Sequence, residues 1–197
     1  CLMDDFIFYF EVIAVLTGIL SVWLTKKENV ILYPVGICSV SIWIYLCWIG
    51  DLFGQSIINF FFLIMNIYGW CNWQSKDDNQ KFKIQIKKNN AIENVMVIFI
   101  SIFLSSLIFA LINQFQKEDA SLFYVLLESI ITGLNFVAMW LMAWKRIEHW
   151  YLWIIGDILC IPLFIFKDYT LGVVQFSIFI FVSYLGFVEW SKKIKAT

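Results

Sequence analysis

Charge is the first thing this chain has little of. Only 15% of its 197 residues are Asp, Glu, Lys or Arg, against about 25% in an ordinary soluble domain. Too few charges remain to cover a water-facing surface, which excludes disorder, a charged coiled coil and a basic nucleic-acid surface. Histidine is nearly absent: His149 stands alone, so no His-rich metal or haem site can be assembled. Five cysteines (Cys1, Cys38, Cys47, Cys71, Cys160) show no CxxC spacing. Four of them lie inside apolar stretches and read as small buried residues rather than a disulfide framework or metal site. No cofactor is expected. Proline occurs only at Pro34 and Pro162.

What is abundant is apolar: 61% hydrophobic residues, 19% aromatic and a mean hydropathy of +0.80. A soluble chain of this size cannot hide that much apolar surface in one core, so lipid is the expected solvent. A spanning helix needs about 20 mostly apolar residues. Seven such runs are present: Phe6–Leu24, Val30–Ile49, Leu52–Trp73, Val95–Gln114, Leu122–Trp144, Trp150–Phe166 and Thr170–Trp190. Backbone groups left unpaired in lipid are costly and barrel-type alternation is missing, so the expected class is an all-α integral membrane protein with seven transmembrane helices. The breaks are short except for 74–93, which carries five lysines together with Asp77 and Asp78. Cys1 is an odd first residue; Met3 is expected as the natural start, and a lipid-modified Cys1 is less expected because no signal sequence precedes it.

The basic residues orient the spans. One side would hold Lys26, Lys27, Lys76, Lys81, Lys83, Lys87, Lys88, Lys145, Arg146, Lys192, Lys193 and Lys195; the other would hold only Lys117 and Lys167. The positive-inside bias therefore predicts the N-terminus outside and the C-terminus cytoplasmic, as a multi-pass protein of a bacterial inner membrane.

Two stretches echo each other. Glu28, Gly36 and Gln55 match Glu148, Gly156 and Gln175 at a spacing of 120. At 117, Gly69-Trp70-x-x-Trp73 matches Gly186-Phe187-x-x-Trp190. Basic pairs (Lys26-Lys27, Lys145-Arg146) and Thr-Gly steps (Thr17-Gly18, Thr132-Gly133) precede both. The expected unit is three helices, with the fourth span as connector: a 3+1+3 parallel repeat. It divides the chain into 1–73 (first bundle), 74–94 (cytoplasmic loop), 95–121 (connector and outer loop), 122–190 (second bundle) and 191–197 (basic tail). Repeat-built membrane proteins are commonly transporters that hold substrate near the midplane between halves.

Asp157 carries the chemistry. It lies about 13 Å along a helix from Glu148, near the middle of a hydrocarbon core about 30 Å thick, where a carboxylate usually lines a cavity or ion path. Trp150, Trp153 and Asp157 share one helix face at i, i+3, i+7. Two indoles and an acid suit a flat cation, through stacking and cation–π attraction. The plainer alternative makes Trp150 an interfacial residue, Trp153 packing, and Asp157 a hydrogen-bond partner of a neighbouring helix. Gln55 and Asn59 form an i, i+4 polar pair; with Asn135 and Asn66 they are either readers of ligand hydroxyls or interhelical glue. Glu11 and Glu128 occupy related depths and read as solvated or paired structural acids. Pro34 and Pro162 are candidate bends.

EHWYLWIIGD resembles the Trp-x-x-Trp-x-x-x-Asn/Asp signature of PnuC-type vitamin transporters. IYGWCNW, GFVEW and TGLNFVAMWLMAWKRIEHW are similar to segments of the same family, and the resemblance spans essentially the whole chain. It implies a 3+1+3 fold related to SWEET sugar transporters, uptake of nicotinamide riboside by facilitated diffusion, and a homotrimer in the lipid bilayer. A separate cytoplasmic kinase would trap the product without required contact. It implies substrate binding by Trp150, Trp153 and Asp157, with Gln55 and Asn59 matching by type. The short length and Glu148 also look like the thiamine-carrying PnuT branch. Both vitamins are flat, hydroxylated monocations, so the Trp–Trp–Asp stripe does not choose between them. Other classes find less support. An intramembrane enzyme lacks HExxH, GxSxG or paired carboxylates at depth; a retinal protein lacks a lysine in the seventh span; a scaffold leaves Asp157 without a solute.

Overall fold

The computed structural model describes residues 2–50, 53–77, 79–115, 121–166 and 170–196. Cys1, Asp78, Lys117 and Lys167 lie outside the described residues. Seven helices run in order along them: α1 (Leu2–Lys26), α2 (Leu32–Ile49), α3 (Phe53–Gln74), α4 (Ala91–Phe115), α5 (Leu122–Ala143), α6 (His149–Phe166) and α7 (Thr170–Ala196). Each covers one of the apolar runs read from sequence. Five are long and apolar enough to cross a membrane, which makes this a multi-pass membrane protein. The two that fall short are informative. Helix α3 is diluted by Gln55, Asn59, Asn66 and Asn72, and α6 is apolar but shorter; these helices carry most of the candidate site residues. Helix α7 runs on through the basic residues to Ala196, where a separate tail was expected.

The chain forms two compact units, 1–85 and 86–197. In the first, α2 packs between α1 and α3; in the second, α5 packs between α4 and α6, and α7 packs on α6. The connector α4 thus belongs with the second unit. Its crossing with α5 is close: a Cβ on Gly133 would lie 2.8 Å from the Ser105 backbone nitrogen, a distance open only to glycine.

Helix boundaries in the two units recur at one spacing. Leu32 and His149 open α2 and α6, Ile49 and Phe166 close them, and Lys26 and Ala143 end α1 and α5, each pair 117 residues apart. The turns between these helices match bond for bond. Glu28 and Lys145 adopt left-handed φ values of 58° and 50°. The Asn29 and Arg146 amides donate back to the Leu24 and Leu141 carbonyls, at 3.0 and 2.9 Å, and the Glu28 and Lys145 amides donate to the Thr25 and Met142 carbonyls, both at 2.9 Å. These are Schellman caps in which Glu and Lys stand where glycine is usual. In this register Glu28 corresponds to Lys145, Gly36 to Trp153 and Gln55 to Gly172. The matches at 120 are therefore three residues, nearly one helical turn, out of structural register. Pro34 and Pro162 do not correspond either. Pro34 sits in the first turn of α2, where no helical N–H is needed; Pro162 lies inside α6 near its end.

The polar segment 74–93 divides between the units. Asp77 closes a turn by accepting the Asn79 and Lys81 amides at 3.0 and 2.8 Å. Lys87 begins a strap across the α5–α6 turn: its amide donates to the Lys145 carbonyl (3.1 Å) and its carbonyl accepts the Ile147 amide (3.0 Å). Asn90 and Glu93 form a capping box at the start of α4, with bonds of 2.7 and 2.8 Å. Arg146 closes the strap, donating to Glu93 Oε1 at 2.9 Å and to the Lys88 carbonyl at 3.2 Å. The pair is partly solvent-exposed, so its expected contribution is about 1 kcal/mol or less. Arg146→Gln is expected to lower the thermal midpoint by only a few degrees; a drop above about 10 °C would show that the strap holds more than this ion pair.

Candidate functional site

The sequence stripe Trp150, Trp153, Asp157 exists as drawn on α6, but its members have different surroundings. Trp150 is fully buried. Its ring lies edge-on to Trp190 of α7, with centroids 5.6 Å apart at 86°, and over Gly186, where a Cβ would lie 2.5 Å from the indole. Glycine at 186 is what lets α7 approach the ring. The first unit repeats the arrangement with a smaller ring: fully buried Tyr33 meets Trp73 at 5.3 Å and 88°, and lies over Gly69.

Trp153 is half-buried. Its ring meets Trp150 edge to face, with centroids 5.6 Å apart at 86°. A cation lying flat between the two indoles, as the stripe suggested, finds no slot here, because the rings touch each other at right angles. Trp153 is the more exposed of the two indoles; Trp150 is packed on α7.

Asp157 is buried, 6% exposed. Among the described residues no hydrogen bond or ion pair reaches its carboxylate. An acid buried at this depth with no partner among the described residues is expensive and calls for a counter-charge. Asn135 of α5 packs against Gly156, the residue before Asp157: its Oδ1 lies 3.0 Å from where a Cβ of Gly156 would be. Glycine at 156 admits the carboxamide. Asn135 also makes no hydrogen bond to a described residue.

Gln55 and Asn59 lie a turn apart on α3, in the first unit, both half-buried. The Asn59 amide donates to the Gln55 backbone carbonyl at 2.9 Å, which leaves its Oδ1 as the outward acceptor. Asn66 is placed differently. Its amide donates to the Phe62 carbonyl at 2.8 Å and its Oδ1 packs against Gly36 of α2, the role of interhelical glue.

Two groups in the second unit are not singled out by sequence. Ser183 is fully buried, and its hydroxyl has no partner among the described residues. The facing pairs Tyr151–Phe187 and Phe164–Phe176 set α6 against α7, which puts Ser183 at about the depth of Asp157. His149, which lies in the break between two of the apolar runs, is the first residue of α6 and is fully buried. Among the described residues no group of three or more His, Cys, Asp or Glu is placed to hold a metal.

The family model for the nicotinamide mononucleotide transporter matches residues 8–192. The chain is similar to the nicotinamide riboside transporter PnuC of Escherichia coli (strain K12), with 22% identity over 205 residues that cover 92% of this chain and 84% of that one. It is similar to PnuC of Neisseria mucosa at 23% identity over 194 residues, covering 93% and 72%. Among solved structures, the crystal structure of the Vitamin B3 transporter PnuC superposes with a TM-score of 0.78 at 22% identity, covering 95% of this chain and 83% of that one.

Proposed function

The chain belongs to the nicotinamide mononucleotide transporter family, a family of transporters and not of enzymes, and within that family we propose that it takes up nicotinamide riboside. The observation that favours a cation over the mononucleotide is Asp157, buried and without a partner among the described residues, one turn along α6 from the half-buried Trp153. A permanently charged pyridinium supplies the missing counter-charge and a flat ring for the indole face. The mononucleotide of the family name adds a phosphate, whose negative charge next to an uncompensated carboxylate is repelled. The names of the curated relatives support the riboside. Thiamine, also a flat hydroxylated cation, is the second reading, favoured by the same pairing of acid and indole.

In this reading Trp153 stacks on the ring, Asp157 balances its charge, and Asn135 bonds ligand hydroxyls. Trp150 supports Trp153 from behind. Gln55 and Asn59 on α3 are further candidates for bonding ligand hydroxyls. Flux is facilitated diffusion by alternating access, with one site opened to each side in turn and no ion coupled. The matching caps and helix boundaries at 117 support a duplicated three-helix unit in a SWEET-like 3+1+3 arrangement. The lysine distribution supports a cytoplasmic C-terminus in a bacterial inner membrane. A homotrimer in lipid completes the proposal, and a cytoplasmic kinase acts downstream on the product.

The test is uptake into proteoliposomes containing only this protein, with labelled nicotinamide riboside, thiamine and nicotinamide mononucleotide run in parallel. Riboside flux that follows its own gradient and is indifferent to imposed proton or sodium gradients is expected. Thiamine flux alone would move the assignment to the second reading. Preferred mononucleotide flux would refute the charge argument.

A further inference from the structure

We infer that His149 is a positioning residue that fixes the Trp153 indole for ligand, an inference that rests on the site reading above. His149 sits at the meeting point of three tryptophans. Its ring centroid lies 4.3 Å from that of Trp150, 4.9 Å from Trp190 and 5.1 Å from Trp153, the last edge to face at 84°. Its Nδ1–H donates to the Arg146 carbonyl at 2.6 Å. A carbonyl only accepts, so this bond assigns the proton to Nδ1 and sets the ring plane. The other nitrogen, Nε2, is buried without a partner among the described residues, so no second bond competes for the ring. Arg146 is itself held by Glu93 and the Lys88 carbonyl. A line of direct contacts therefore runs from the strap through Arg146 and His149 to the one indole of the stripe that is not sealed.

Position 149 does not need histidine to fold. Its counterpart 117 residues earlier is Leu32, also the first residue of its helix and also fully buried. Packing at this corner is satisfied by an aliphatic side chain, so the imidazole, with its fixed plane and its edge on Trp153, answers a different requirement. Only the second unit has a tryptophan to position: the residue corresponding to Trp153 is Gly36.

The experiment compares wild type with His149→Leu and His149→Phe. Leucine reproduces the first unit's solution; phenylalanine keeps a ring and loses the Nδ1–H donor. In proteoliposome uptake, His149→Leu is expected to raise the apparent KM about tenfold, with the maximal rate per folded transporter within about twofold, and His149→Phe to fall between. In protein labelled with 5-fluorotryptophan, the Trp153 resonance is identified by its loss in Trp153→Phe. It is expected to shift and broaden in His149→Leu without any ligand. A purely structural histidine would lower folded yield and leave both the KM and the Trp153 resonance of the folded fraction unchanged, which overturns the inference. Failure of the site reading looks different: the wild-type Trp153 resonance would then ignore both nicotinamide riboside and thiamine.

Discussion

Asp157→Ala is expected to abolish uptake, by at least about 100-fold in initial rate, in a protein that folds as well as wild type or better. The two halves of that result have one cause. In the structure the carboxylate is buried and no described residue pairs with it, so in the absence of ligand it is a liability to stability. Removing it relieves the fold. The same removal leaves a bound cation with no counter-charge in a poorly solvated site, and deleting one partner of a buried pair typically costs about 3–5 kcal/mol, about two to four decades in binding. Asp157→Asn keeps the shape and should fail nearly as badly. Thermal midpoint and initial uptake rate, measured on the same preparations, check the pair of effects. A destabilised Asp157→Ala protein with proportionate loss of uptake would make Asp157 a structural residue; unchanged uptake would remove it from the site.

Gly186→Val should severely damage the second unit. A Cβ at 186 would lie 2.5 Å from two ring carbons of Trp150, and Trp150 has no free side to retreat to. It is sealed by Trp190, His149 and Trp153. Overpacking of this kind costs about 1–3 kcal/mol or more, and the displaced indole carries Trp153 with it. Loss of folded yield together with loss of uptake is the expected outcome. Gly186→Ala combined with Trp150→Phe provides the check, since the smaller ring vacates the space the methyl enters. The double variant should be more stable than the sum of the two singles by about 1 kcal/mol or more. Strict additivity would mean that the two residues do not press on each other. The first unit also keeps glycine beneath its smaller ring: a Cβ on Gly69 would lie 2.5 Å from Tyr33.

Lipid makes much of this fold legible. Helices α1 to α6 begin and end within a few residues of the apolar runs, because in a bilayer an apolar run sets the length of the element; α7 runs on past its apolar run through the basic residues to Ala196. The Asn90-x-x-Glu93 box was equally readable in principle, since its chemistry lies within one turn. The Schellman caps at Glu28 and Lys145 were not: they use charged residues where glycine is the signal. Matching by residue type set Glu28 against Glu148 and Gly36 against Gly156. Position in the fold sets them against Lys145 and Trp153, because backbone geometry repeats while side chains have diverged.

By itself, the sequence determined that the chain lives in a membrane, how many helices it forms, and which carboxylate is out of place there. Those follow from transfer free energies, which depend on composition and run length alone. Only the tertiary structure decided what each polar or aromatic group does. Trp150 and Trp153 are the same residue on the same face, three apart, yet one is sealed under α7 at Gly186 and the other keeps a surface. Asn66 is spent on Gly36, whereas Asn135 is brought to Gly156 beside Asp157. His149, in the break between two apolar runs, lies among Trp150, Trp153 and Trp190. Each of these outcomes depends on which neighbouring helix comes close enough to touch, and that distance is set by small residues on another helix, far away in the chain.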